Sequence, residues 1–408
     1  MLLLYIDPGT GSMLFSIIIG LVTMLYFVAK AALIKVKFFL TGGKAVASNK
    51  NRYPFVIYSE SERYWSVFKP ILDAFEKRQI SVMYFTSAEK DPFFSNPYSY
   101  INGEFIGEGN KAFTRLNFLE ADICLMTTPG LDVYQLKRSR GVKHYAHVLH
   151  SVADATSYRL FGLDYFDSVF LSGTYQEAHI RILEEQRGIA KKELVVVGCT
   201  YLDMLNQQLS TFEPDENHLF TVLVAPSWGS NGILSKYGER LLDPLVETGF
   251  QIIVRPHPQS IQSEKAVLER LQRRYASSSN LEWNYSRENI GTLFRSDIMI
   301  SDFSGVIFDY SFLLDRPFLY VNANFDDRPY DGGSIDEEPW KFKILPEIGV
   351  ELIESSFPTI KEVLLDTVQN ETLTKNRLQA KETAWQFRGH SGEKIVDYLA
   401  AKQKELGL

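Results

Sequence analysis

The sequence predicts an α/β protein: two β/α/β domains facing a cleft, preceded by one N-terminal apolar segment long enough to span a membrane as a helix. Three observations carry this expectation. From Tyr53 onward short apolar runs alternate with amphipathic stretches, a polar break at Gln207–Asn217 divides that alternation, and Pro8 to Ala29 contains no charged residue. With 408 residues, 45% of them apolar and 13% aromatic, the chain can fill more than one core, which excludes a disordered or low-complexity protein.

The N-terminal segment Met13–Val28 (MLFSIIIGLVTMLYFV) approaches the ~20 residues needed to cross a bilayer. Asp7 is the sole charge before it, whereas Lys30, Lys35, Lys37, Lys44, Lys50 and Arg52 follow with no acid among them. This asymmetry predicts a single-pass anchor in the inner (cytoplasmic) membrane with the body on the cytoplasmic side. A secretory signal would show a basic start and a small-residue cleavage site, and neither is visible. Residues 1–52 carry six basic residues and one acidic, and residues 53–408 carry 37 and 49, so the net charge of −7 combines a basic collar with an acidic body. An acidic body argues against nucleic-acid binding.

In the first block, residues 53–206, strands are expected at Pro54–Tyr58, Ile80–Phe85, Ile123–Thr127, Lys143–Leu149, Ser168–Leu171 and Leu194–Val197, with helices at Tyr64–Lys77 and Gln176–Gln186. In the second, residues 218–370, strands are expected at Thr221–Ala225, Gln251–Arg255, Leu281–Trp283, Ile298–Ser301 and Phe318–Val321. Its helices are expected at Ser235–Thr248, Ser263–Tyr275, Glu288–Ser296 and Val306–Leu314, and residues 371–408 read as C-terminal helices packing back on the first domain. Cys124 and Cys199 lie far apart without metal-ligand spacing, so neither a disulfide framework nor a zinc site is expected.

Ligands of open α/β sheets bind beyond the carboxyl ends of the strands, so the residues there are the candidates. After Ile298–Ser301 comes Asp302-Phe303-Ser304-Gly305 and then a helix: Ser304 is a fitting N-cap, Gly305 permits close approach, and the helix start offers free N–H groups to a phosphate. Asp309, one turn on, is placed to bond a ribose hydroxyl or to face solvent. In Arg255-Pro256-His257-Pro258 a strand ends in a guanidinium suited to phosphate and in an imidazole held by two prolines. Ser227 lies in the loop Ala225–Ser230, which faces the cleft. In Lys143–Asp154, alternation puts His144, Val148 and His150 on one face and His147 and Leu149 on the other, with His150 at the strand end and Asp154 or Asp164 available to orient it. Three histidines in seven residues raise a metal site, but no acidic partner is spaced with them and no metal ligand is assigned.

In this order the segments resemble the CDP-glycerol:poly(glycerophosphate) glycerophosphotransferase family, the teichoic-acid primases and polymerases. The resemblance rests on Leu149-His150-Ser151, Phe166–Tyr175, Gly198–Asp203, Ala225–Trp228, Arg255–Pro258, Ser301–Asp309 and Gly389–Val396. It implies a GT-B fold of two Rossmann-like domains. It also implies a CDP-linked donor held on the second domain by Arg255, Ser227, Ser301, Asp302, Ser304, Gly305 and Asp309, with His257 at its phosphates as a catalytic residue. His150 would be the general base on the hydroxyl of a lipid-linked or polymeric envelope acceptor, with CMP released. No cofactor is required by the sequence, and Mg2+ on the diphosphate would leave no sequence trace. The chain departs from the family pattern at Leu149, Ser151 and Thr200, all on the acceptor side. A nucleotide-sugar glycosyltransferase of surface polysaccharide synthesis and an inactive membrane-tethered scaffold are the alternative readings.

Overall fold

The computed structural model describes residues 22–26, 52–213, 215–286, 288–322 and 326–407. The chain divides into residues 1–52 and a compact body of residues 53–408. Of the expected anchor only Val22–Tyr26 is described, as helix with exposed side chains, and the rest of Met13–Val28 lies outside the described residues. Among the described residues no helix is long and apolar enough to cross a membrane.

The body contains two all-parallel sheets. The first is built from β1 (Tyr53–Ser59), β2 (Val82–Thr86), β3 (Ile101–Phe105), β4 (Ala121–Met126), β5 (Val142–Val148), β6 (Ser168–Leu171) and β7 (Glu193–Val196), in the order β3-β2-β1-β4-β5-β6-β7. The second uses β8 (Thr221–Val224), β9 (Gln251–Val254), β10 (Leu281–Trp283), β11 (Ile298–Ser301), β12 (Phe318–Tyr320) and β13 (Val350–Glu351), in the order β10-β9-β8-β11-β12-β13. Each sheet winds outward in both directions from its first strand. Each therefore has a switch point, between β1 and β4 and between β8 and β11, where the exit loops splay apart and leave a crevice.

Every strand predicted from an apolar run is present within one or two residues at each end. Two strands carry no such run. β3 (INGEF) is an edge strand whose Gly103 lies under the Phe93 ring, and β13 is two residues long. The predicted helix Ser235–Thr248 is broken by Gly238, at a φ of 46°, into a short turn and the helix Glu239–Glu247.

Helices cover both faces of each sheet. On the first, Phe68, Ile71 and Phe75 pack against Phe55, Ile57 and Val148, and the last helix, Ser391–Glu405, adds Ile395, Val396 and Leu399 to that same core. The final helix thus returns to the first lobe. An apolar cluster also runs between the lobes, joining Val152, Leu202 and Leu205 to Ile307, Phe308, Phe312 and Trp385. Burial of this kind stabilises by roughly 25 cal/mol per Å² of apolar surface, so it fixes one lobe against the other far better than a linker would.

Two polar links add direction to that interface. Asp203 accepts from Trp385 Nε1, Gly389 N and Ser391 N at 2.8, 2.8 and 3.0 Å, and so closes the N-terminus of the last helix. Gly198, at φ 95°, lies so close to the carbonyl of Gln386 that a Cβ there would stand 2.1 Å from its oxygen. Gly198–Asp203, one of the segments on which the family resemblance rests, is therefore the seat of the C-terminal segment. In the other direction Asp154 accepts from Trp340 N and Lys341 N, while Asp331 accepts from Phe161 N, Gly162 N and Arg187.

Candidate active site

Three exit loops of the second sheet meet at its switch point. The loop after β8 is held by Asp302, a buried carboxylate that accepts from Ser227 N at 2.9 Å and from Ile233 N at 3.3 Å. Burial raises the pKa of this carboxyl, and the backbone N–H groups oppose that. Ser301 Oγ donates to Ala225 O at 2.6 Å and ties the same two loops together. Both residues were expected to bind the CDP-linked donor, Ser301 at its phosphates. Their side chains are instead occupied in shaping the loops, and Asp302, acting as an acceptor here, is poorly suited to an anion. Ser227 is buried and contributes its backbone to this scaffold.

The helix Val306–Leu314 begins as expected, but its N-cap is Gly305, without a side-chain cap, and Ser304 stands one residue earlier. Gly305 is exposed, with nothing within 4 Å of where a Cβ would stand. The Ser304 N–H is turned to the Asp302 carboxylate, and the helix start at Gly305 faces open space, a geometry that suits an anion. Asp309 accepts from Tyr201 Oη at 3.2 Å, and burial pushes its carboxyl up to about 7. The ribose contact expected of Asp309 would have to be made beside this bond.

The loop after β9 presents Arg255 and His257. Arg255 donates to Asn284 Oδ1, to Ser286 Oγ at 3.1 Å and to Ser286 O at 2.9 Å, so its fork is largely committed to the loop beyond β10. Burial lowers its pKa, as it does that of His257. His257 Nδ1 accepts from Gln259 N at 3.1 Å, which leaves the proton of the neutral ring on Nε2, the nitrogen of a donor. The Trp228 ring lies 6.5 Å from that imidazole, centre to centre.

On the first lobe His150 follows β5, and burial lowers its pKa, which favours the neutral ring that a general base requires. Neither aspartate offered as its orienting partner touches it. Asp154 caps the helix Trp340–Ile348 and Asp164 pairs with Arg187 at 2.6 Å. The partner is Tyr158, whose hydroxyl lies 3.1 Å from His150 Nδ1 and 3.1 Å from His147 Nε2. Strand alternation holds inside β5, where Ala146 and Val148 face one core and Tyr145 the other. Beyond Val148 the strand ends, and rings assigned to opposite faces reach one hydroxyl. His144 turns away to Ser168 Oγ at 2.9 Å, so the three histidines do not converge. Among the described residues no group of three or more His, Cys, Asp or Glu could hold a metal ion.

Two residues absent from the sequence expectation belong to this cleft. Tyr64 sets its ring edge-on to His150 at 5.6 Å. Its neighbour Arg63 is exposed and close enough to His257, on the other lobe, to help depress the pKa of that imidazole. Both follow β1 at the first switch point. Their signal in the sequence is positional, in the residues that leave the first strand of a doubly wound sheet.

The model of the CDP-Glycerol:Poly(glycerophosphate) glycerophosphotransferase family matches residues 175–336, about two fifths of the chain. That region contains His257, Arg255 and the Ser301–Asp309 segment, whereas His150 lies before it. No curated protein matches in sequence. Among solved structures the chain is similar to the wall teichoic acid polymerase TagF, studied after a soak with CDPG, at 15% identity and TM-score 0.58 over 92% of this chain and 98% of that one. It is also similar to a putative UDP-N-acetylglucosamine 2-epimerase from Listeria monocytogenes (15%, TM-score 0.59, 87% and 98%). A UDP-GlcNAc 2-epimerase from Neisseria meningitidis bound to UDP-GlcNAc is a further match (14%, 0.54, 85% and 99%). At these identities the structures speak for the fold alone, and the family match is confined to residues 175–336. Over residues 175–336 the chain is similar to the CDP-glycerol:poly(glycerophosphate) glycerophosphotransferase family, and its body has a GT-B-like α/β fold.

Proposed function

We propose that the protein moves glycerol phosphate, or a related polyol phosphate, from a CDP-linked donor to a lipid-linked or polymeric envelope acceptor. The observation that carries this reading is the coincidence of the family region with the exit loops of the second sheet, which hold both the open start of the helix Val306–Leu314 and His257. The donor diphosphate sits against Ser304 and Gly305, with His257 Nε2–H directed to a phosphate oxygen and Arg255 positioning the adjoining loop. His150 Nε2 removes the proton from the acceptor hydroxyl as its oxygen attacks the β-phosphorus. The P–O bond to CMP breaks, and CMP leaves. The charge-free segment Met13–Val28 and its basic collar keep the body at the inner membrane face, where a lipid-linked acceptor is reached in two dimensions.

The epimerase-like structures keep a nucleotide-sugar reading in view, since the same fold serves both. Calorimetric titration separates them. CDP-glycerol is expected to bind and UDP-GlcNAc not, with His257→Ala weakening the former by about tenfold, roughly 1.4 kcal/mol. Binding of UDP-GlcNAc without CDP-glycerol would overturn the proposal.

A further inference from the structure

The first lobe brings a cation to the crevice. Arg63 leaves β1 in the short turn Glu62–Tyr64, between Ser61, whose carbonyl accepts from Tyr64 N at 3.0 Å, and the helix Trp65–Lys77. Val67, Phe68, Ile71 and Leu72 of that helix are buried, so the turn stands on a fixed base. Tyr64 sets its ring edge-on to His150 at 5.6 Å, and the charge of Arg63 reaches His257, where it adds to burial in holding the imidazole below its ordinary pKa. The turn therefore adjoins His150 through Tyr64 and His257 through Arg63. Arg63 is exposed, and its guanidinium makes no ion pair or hydrogen bond among the described residues, although Glu60 and Glu62 precede it.

Two features of the surroundings call for an anion there. The helix Trp65–Lys77 has no acid in its first turn and no side-chain cap, so a cation two residues before its start adds to the positive end of the helix dipole. Such a breach of helix electrostatics marks a functional position when nothing local offsets it. On the second lobe, meanwhile, the charges nearly cancel. Arg255 is positive, the Asp302 carboxylate is negative, and His257 is a neutral ring whose Nδ1 accepts from Gln259 N. Each phosphoryl group of a CDP-linked diphosphate carries a negative charge at neutral pH, and a helix start offers only about half an elementary charge against it. The second lobe alone leaves such a donor short of positive charge. We propose that Arg63 crosses the crevice to the β-phosphoryl group of the donor, so that the nucleotide lies on the second lobe and the cation over the transferred group comes from the first. This inference rests on the reading of the crevice as a CDP-linked donor site. As the acceptor oxygen attacks and the P–O bond to CMP breaks, charge spreads over the phosphoryl oxygens, and the guanidinium fork donates hydrogen bonds to them without exchanging a proton.

The test is calorimetric titration of the detergent-solubilised full chain with CDP-glycerol and, separately, with cytidine, which has no phosphate. Arg63→Gln is expected to weaken CDP-glycerol about tenfold and to leave cytidine within about twofold. Arg63→Lys, which keeps the charge and loses the fork, is expected to recover part of that affinity. In the transfer assay Arg63→Gln is expected to lower kcat about 100-fold at saturating donor. Because the side chain is exposed, the denaturant midpoint of both variants is expected to match the wild type, which keeps folding out of the comparison. CDP-glycerol affinity or kcat unchanged in Arg63→Gln, or an equal loss of cytidine affinity, would overturn the inference. Wild-type protein that fails to bind CDP-glycerol would instead defeat the donor reading, so the two failures are distinguishable.

Discussion

Individual side chains in this cleft divide into those that build it and those left to act. Asp302 and Ser301 build, because their oxygens are bound to the loops they shape; His150, His257 and Arg63 face the crevice. Residue type alone does not make that distinction, since a serine at a strand end reads the same whether its hydroxyl meets a phosphate or the carbonyl of Ala225. Asp309 offers a direct test of its surroundings. Burial raises its carboxyl to about 7 from an ordinary value of 3.8, so between those pH values the folded protein holds a proton that the unfolded chain has lost. Stability therefore falls as pH rises through the window, by up to ~1.4 kcal/mol per pH unit from this group. Asp309→Asn is expected to match the wild type in denaturant midpoint at pH 4 and to exceed it at pH 8. Equal midpoints at both pH values would show that the carboxyl is not held protonated.

At the level of strands, helices and loops, the first sheet and the second were legible wherever a buried parallel strand leaves a run of apolar residues, as in PFVIY or IMIS. Edge strand β3 was not, because Asn102, Gly103 and Glu104 interrupt the run and the pairing comes from β2. The connection between the lobes was also hidden. Asp154 and Asp331 look like surface acids, yet each accepts backbone N–H groups more than 160 residues away. Asp331 is buried and bonded to Arg187 at 2.6 Å, and its removal would strand that guanidinium and two N–H groups. Asp331→Ala is expected to cost about 3–5 kcal/mol in denaturant unfolding. Because the Asp331 carboxylate also holds Phe161 N and Gly162 N, a few residues past Tyr158, the same variant should lose kcat at temperatures where it is still folded. A loss below 1 kcal/mol would mean that the apolar cluster alone joins the lobes.

Along the sequence, a basic, apolar N-terminal stretch precedes an acidic body. The family region includes the exit loops of the second sheet and stops short of His150, so the role proposed for His150 rests on the geometry around Tyr158. Removal of residues 1–52 is expected to shift the protein from the membrane fraction to the supernatant while CDP-glycerol binding is retained; persistence in the membrane fraction would place the attachment in the body instead. The central claim concerns the group transferred, and product analysis addresses it most directly. The detergent-solubilised protein is incubated with CDP-glycerol labelled in the glycerol and a panel of lipid-linked acceptors. The account predicts label in the lipid product together with stoichiometric CMP, and loss of both in His150→Ala. Transfer from a UDP-sugar instead, or no transfer from CDP-glycerol to any acceptor, would contradict it.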